Sequence, residues 1–221
     1  MDRTSEKIFA RLASKSESAI IVASCGRSGS TMLTNALAFS SLYRIFQMGP
    51  DIFQNALIKQ AWRLEKVCFQ PGFIYKTHDH PPSKIRSHKY VYVYSSPCRV
   101  IPSLVKKAHE EGKRWLKNHA KHLKGSFDSI DRMIDGDSLR IKENIEKWLH
   151  VARETKNVMA LRYEDIWSNQ DQLTEFLGFD VCLPRRKSRK SSTEVLSRDQ
   201  LEKMIRKFEC MDDMVDVETN S

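Results

Sequence analysis

Apolar positions along the 221-residue chain fall into short continuous runs, separated by segments with a helical repeat. The first run, Ala19, Ile20, Ile21, Val22 and Ala23, has the length and composition of a strand buried on both faces. It stops at Ser24-Cys25-Gly26-Arg27-Ser28-Gly29. From Ser30 the residues Met32, Leu33, Ala36 and Leu37 take a 3.6-residue period, which predicts a helix. A short strand is predicted near 43–46, then a break at Gly49-Pro50. Apolar spacing predicts a helix over 51–67, with Asp51 as its cap. Residues 73–75 read as a second buried strand running into Lys76-Thr77-His78-Asp79-His80, and 90–94 (YVYVY) carries the strongest strand signal. A helix follows from Pro97 to about His109. Residues 111–136 are polar and basic, helical in part, with breaks at Gly125 and Gly136. Asp137 or Ser138 caps a predicted helix to about Glu154, and 158–161 is a further strand ending in Arg162-Tyr163-Glu164-Asp165. The last elements are a helix over 169–177, a basic loop over 184–192 and an amphipathic helix over 197–208, capped by Ser197 or Asp199.

Strands alternating with helices predict an α/β fold of three layers, a central parallel sheet flanked by helices. The expected organisation is a lead-in at 1–18, a single domain over 19–210 and an acidic, disordered tail at 211–221. Ligands of such sheets sit beyond the carboxyl ends of the strands. Four predicted strand ends carry polar groups: Cys25-Gly26-Arg27, Lys76-Thr77-His78, Ser95-Ser96 and Arg162-Tyr163.

Charge narrows the partner. The net charge of +9 suits an anion: nucleotide, nucleic acid, acidic glycan or membrane surface. No stretch of about 18 apolar residues is present, which excludes a membrane-spanning helix, and 1–18 lacks the apolar core of a secretory signal. The five scattered cysteines read as free thiols in a reducing compartment, so the expected location is cytoplasmic. A basic stretch runs from Lys106 to Lys124. It reads as a solvated face or, more sharply, as a platform for an anionic acceptor. His119 and His122 stand at i, i+3 spacing within it, but no further ligands are in view, so no metal is expected.

A strand, a glycine-containing turn and a helix start together form an anion cradle. Glycines let backbone N–H groups approach the ligand, and the helix N-terminus adds partial positive charge. The nucleoside-triphosphatase form of this loop, G-x-x-x-x-G-K-[ST], fails twice, with Ser24 at its first glycine and Ser30 at its lysine. The cation sits earlier, at Arg27. The plain alternative is a tight strand-to-helix turn with no ligand. The string G-R-S-G-S-T, residues 26–31, resembles the 5′-phosphosulfate loop of sulfotransferases that use 3′-phosphoadenosine-5′-phosphosulfate (PAPS). That resemblance implies a P-loop NTPase-like sulfotransferase architecture, with Gly26, Arg27, Ser28, Gly29, Ser30 and Thr31 binding the donor.

Two further segments extend the resemblance. Lys76 and His78 lie two apart after a strand and point to one side. An imidazole near neutrality suits a general base. K-T-H followed by proline looks like the K-T-H-x-P segment of cytosolic sulfotransferases. This implies that Lys76, with Arg27, stabilises the transition state and that His78 is the catalytic base; His80 and Asp79 are neighbouring candidates. The stretch 92–104 aligns with the family's 3′-phosphate segment. Ser95 stands where the family has arginine, and Ser103 matches a donor serine. Arg99, one helical turn before Ser103, and the basic run Arg185-Arg186-Lys187-Ser188-Arg189-Lys190, with Arg189 and Lys190 at its end, would compensate for the missing arginine. Arg162-Tyr163-Glu164-Asp165 also looks like the superfamily's late strand end, where Tyr163 and Glu164 read as supports.

The reading is a PAPS-dependent sulfotransferase moving a sulfuryl group to an acceptor hydroxyl, on a glycan or glycolipid, without metal. Two rivals stay open: a nucleotide kinase on the same fold, and a non-catalytic nucleotide- or nucleic-acid-binding relative, which Ser95 favours.

Overall fold

A computed structural model of the chain describes residues 17–46, 57–187 and 192–209. Five strands form one parallel sheet: β1 (Ile20–Ala23), β2 (Ile58–Gln60), β3 (Ile74–Thr77), β4 (Lys89–Tyr94) and β5 (Val158–Arg162). Their spatial order is β2-β3-β1-β4-β5. The register pairs Val22 with Lys76 on one side of β1 and with Val91 on the other. Seven helices surround the sheet among the described residues: α1 (Ser30–Phe46), α2 (Pro97–Glu111), α3 (Lys113–His122), α4 (Ile130–Gly136), α5 (Ile141–Glu154), α6 (Gln170–Leu177) and α7 (Arg198–Phe208).

Alternation along β1 explains the three layers. Ile21 and Ala23 face one side with Tyr75, Tyr90 and Tyr92, where Leu104 of α2, Leu116 of α3, Trp148 of α5 and Met204 of α7 cover them. Ile20 and Val22 face the other side with Ile74, Val91 and Val93, beneath Leu33 and Leu37 of α1 and Leu173 of α6. Both sets are apolar, which is why β1 and β4 read as continuous hydrophobic runs. Trp148 stacks on Tyr92 at 5.3 Å, and its Nε1–H donates to the Asp79 carbonyl at 3.0 Å. That bond ties α5 to the loop after β3. The chain leaves β1 for β2 and β3 on one side, then for β4 and β5 on the other. The switch point therefore lies at the carboxyl end of β1, where open α/β sheets bind ligands.

Several expected elements differ. The strand near 43–46 is the last turn of α1; Leu42, 1% exposed, keeps that helix against the sheet. Within the predicted 51–67 helix, 58–60 is β2, an edge strand paired to β3, and Leu64–Lys66 is a 3₁₀ turn. Asp51 and Gly49-Pro50 lie outside the described residues, as do 1–16 and 211–221. The helix before Glu154 begins at Ile141, yet Asp137 still caps it. Its carboxylate accepts from the Ile141 and Lys142 N–H groups at 2.8 and 3.0 Å. Ser197 caps α7 in a reciprocal capping box with Gln200. The cysteine expectation is corrected at Cys98, which is disulfide-bonded, while Cys25, Cys68 and Cys182 are free. Pairing depends on tertiary proximity, which scattered spacing does not reveal. The correction removes the thiol argument for a reducing compartment.

Candidate functional site

The loop between β1 and α1 turns on positive backbone angles, with φ of +93° at Gly26, +55° at Arg27 and +81° at Gly29. Side chains disfavour this region, and the two glycines are also hemmed in. A Cβ at Gly26 would fall on the His119 ring, and one at Gly29 on the Tyr163 ring. Ser24 Oγ accepts from the Gly26 N–H at 3.2 Å and donates to Ser30 Oγ at 2.9 Å. Buried Ser28 donates to the Gly26 carbonyl at 3.0 Å. These bonds close the turn on itself and deliver the chain to the N-terminus of α1, whose first turn holds no acidic residue. The positive end of the helix dipole is left uncompensated there, ready for an anion.

Two cations and an imidazole meet this loop. Lys76 Nζ donates to Thr31 Oγ1 at 2.6 Å, and Arg27 Nε donates to Ser103 Oγ at 3.0 Å. Burial, and then the charge of Arg27, hold the Lys76 ammonium below its ordinary pKa. His78 Nδ1 lies 2.9 Å from the Ser24 carbonyl oxygen and 3.2 Å from Ser24 Oγ. A carbonyl only accepts, so Nδ1 carries the proton and Nε2 the lone pair. Burial, helped by the positive potential of His119 and Lys76, pushes the imidazole down to about 3. His78 is therefore neutral at pH 7, which leaves it free to take a proton, but its pKa lies well below the near-neutral value expected of it, so in the free protein it is a weaker base than an ordinary imidazole.

The other expected site residues divide. Arg27 and Ser103 come together. Ser95 is fully buried and donates to Glu164 Oε1 at 3.0 Å. Arg99 Nη1 approaches that same oxygen at 3.6 Å, and Arg162 Nε lies 3.5 Å from Glu164 Oε2. Ser95 and Arg99 are thus gathered around a carboxylate. Asp79 accepts from the Leu64 N–H at 3.0 Å, and His80 Nε2 donates to the Leu123 carbonyl at 2.8 Å. Both are buried beside structural partners, whereas Lys76 and His78 line the cleft. Arg189 and Lys190 lie outside the described residues.

The cleft encloses about 660 Å³ between the loop and α3. Its far wall was missed by sequence reasoning. Trp115, His119 and His122 of α3 line it, with Trp62 from the segment after β2 and Tyr163 beside Gly29. Trp62 stacks on His122 with ring centres 3.8 Å apart and is itself 38% exposed. The available signal was the i, i+4, i+7 spacing of Trp115, His119 and His122, one stripe of a helix. His119 and His122 serve this wall; among the described residues no group of three or more His, Cys, Asp or Glu gathers as a metal cage. The Cys25 thiol is pushed up to about 11 by burial, so it remains a thiol rather than a nucleophilic thiolate.

Burial of neutral histidines has a measurable consequence. His78 is held near 3 and His119 near 4, whereas unfolded histidine titrates near 6.5. Between those values the unfolded chain binds more protons than the folded one, so stability rises with pH across the window and falls on acidification through it. Thermal unfolding at fixed ionic strength is expected to show a lower Tm at pH 5 than at pH 7.5. His119→Gln is expected to flatten that difference; an equal difference in the variant would refute the assignment.

No protein-family model matches the chain, and no curated protein matches it. Among solved structures it is similar to mouse sulfotransferase SULT7A1 complexed with PAP, at 16% identity and TM-score 0.49, covering 98% of this chain and 94% of that one. It is also similar to retinol dehydratase in a complex with retinol and PAP, at 16% identity and TM-score 0.40, covering 87% and 68%. The complex of retinol dehydratase with androsterone and inactive cofactor PAP gives 16% identity and TM-score 0.43, covering 97% and 74%. Among the described residues no helix is long and apolar enough to cross a membrane.

Proposed function

We propose that the protein transfers a sulfuryl group from PAPS to an acceptor hydroxyl, on a glycan or glycolipid. One observation carries the reading. An anion loop, two cations and a neutral imidazole with its Nδ1–H already engaged converge on one cleft. Transfer of this kind passes through a loose transition state, where the protein mainly positions groups and stabilises charge. When bound, PAPS supplies the sulfuryl group. Arg27 and the loop backbone over 26–31 would hold its 5′-phosphosulfate. Lys76 would hold the negative charge left on the departing phosphate, and His78 Nε2 would take the acceptor's proton.

The loop and the Arg27–Ser103 pair suit the nucleotide's 5′-phosphosulfate. The Glu164 carboxylate beside Ser95 and Arg99 does not favour a second phosphate there. Two indoles on the cleft wall suit the flat apolar face of a sugar ring, and exposed Lys113, Arg114, Lys117 and Lys121 flank that wall on α3. Both features support a glycan acceptor, an anionic one in particular.

Calorimetric titration with 3′-phosphoadenosine-5′-phosphate, against ADP with Mg²⁺, tests the donor assignment. Saturable binding of the bisphosphate, weakened at least tenfold in Arg27→Ala, is expected from the loss of a charge-assisted contact. Preference for ADP would move the protein to the kinase reading, and binding of neither nucleotide would leave the loop without a nucleotide role.

A further inference from the structure

We infer that His119 is a positioning residue of the anion loop, and that its imidazole pins the Cys25 carbonyl and so holds the loop in its ligand-receiving shape. The inference rests on the proposed reading of that loop as the donor site. Two imidazoles from separate elements donate to consecutive carbonyls of the loop. His78, after β3, takes that of Ser24 at 2.9 Å; His119, on α3, takes that of Cys25 through Nε2 at 3.0 Å. His119 is only 7% exposed, and its ring is fixed on three sides. It stacks on Trp115 at 5.3 Å and 10°, meets His78 edge-on at 5.0 Å and rests against Gly26, where a Cβ would not fit.

The consequence follows from peptide planarity. The Cys25–Gly26 peptide is trans, so a fixed carbonyl also fixes its N–H on the opposite side. That N–H bonds Ser24 Oγ, which donates to Ser30 at the start of α1. One imidazole therefore secures a chain of bonds reaching the helix terminus. Gly26 explains why an external pin is needed. Its φ of +93° gives the loop a turn that side chains resist, but a residue without a Cβ is equally free to leave that conformation. The pin comes from α3, which also carries the aromatic wall. The wall and the donor loop are thus mechanically joined at His119.

The test compares the wild-type chain with His119→Leu, which removes the donor, and His119→Gln, whose amide restores one. His109→Leu, at an exposed position on α2, serves as the control. Amide hydrogen exchange of the ligand-free protein is expected to accelerate about tenfold across 24–31 in His119→Leu, with β1 and β4 amides unchanged. Affinity for 3′-phosphoadenosine-5′-phosphate is expected to fall about tenfold in the same variant. His119→Gln is expected to stay within about threefold of wild type on both readouts, a rescue that a space-filling role would not give. Unchanged exchange in His119→Leu, or a glutamine variant no better than leucine, overturns the inference. Should the wild type bind no bisphosphate, the donor reading fails, while the exchange measurement still decides whether His119 pins the loop.

Discussion

His78→Ala is expected to lower turnover about 10²–10⁴-fold, the usual contribution of a positioned general base, and to weaken affinity for the donor nucleotide by only about tenfold, the scale of the lost hydrogen bond to the Ser24 carbonyl. The two effects differ in size because Nδ1 makes one hydrogen bond to the Ser24 carbonyl of the loop, while the ring also lines the cleft where the acceptor would be deprotonated. The pH profile supplies a second readout. Burial holds the imidazole near 3, so the base stays in its active form well below neutrality. The acid limb of kcat/KM, which reports the free enzyme, is accordingly expected far below 6.5. Steady-state assays from pH 4.5 to 9 check both. An alanine variant that turns over like wild type removes His78 from the chemistry. An acid limb near 6.5 in the wild type contradicts the depressed pKa.

Much of this site was legible before the fold was known, because its chemistry is local. Residues 24–31 follow a strand that announces itself by burial on both faces, and Lys76 and His78 share a side by simple alternation. What escaped was set by tertiary contact. β2 reads Ile-Lys-Gln, with no alternation or apolar run, and becomes a strand only through pairing with β3 at the sheet edge. Ser95 stands where the resemblance expects a phosphate-binding arginine, with Arg99 as the expected compensation. The β4–β5 register sets Tyr94 opposite Arg162, so the residues just beyond the two strand ends are neighbours. Glu164 thereby reaches both Ser95 and Arg99, a proximity that no spacing along the chain encodes. Tyr163, read as a support, covers Gly29 and lines the cleft for the same reason. The histidines of α3 were visible as a pair, but their role depends on a loop some ninety residues away in sequence.

Lys76→Met is expected to cost turnover about 10²–10³-fold, the scale of losing one preorganised charge at a developing anion, while ground-state nucleotide affinity changes much less. Methionine keeps the apolar stem and removes the ammonium. The loss should therefore fall on kcat, because charge on the departing oxygen appears mainly in the transition state. Lys76 is also held in place: its Nζ bonds Thr31 Oγ1 at 2.6 Å across the mouth of the loop. Thr31→Val preserves shape and removes that tether, with an expected loss of about tenfold, the scale of one hydrogen bond to a charged donor. The two effects should not add. If Thr31 acts by aiming Lys76, the double variant is no slower than Lys76→Met alone, and the cycle returns a coupling of about tenfold. Additive losses would mean that the Thr31 hydroxyl meets the substrate on its own account. A single Lys76→Met variant with unchanged kcat would place the charge stabilisation elsewhere in the cleft, with Arg27 as the remaining cation on the loop.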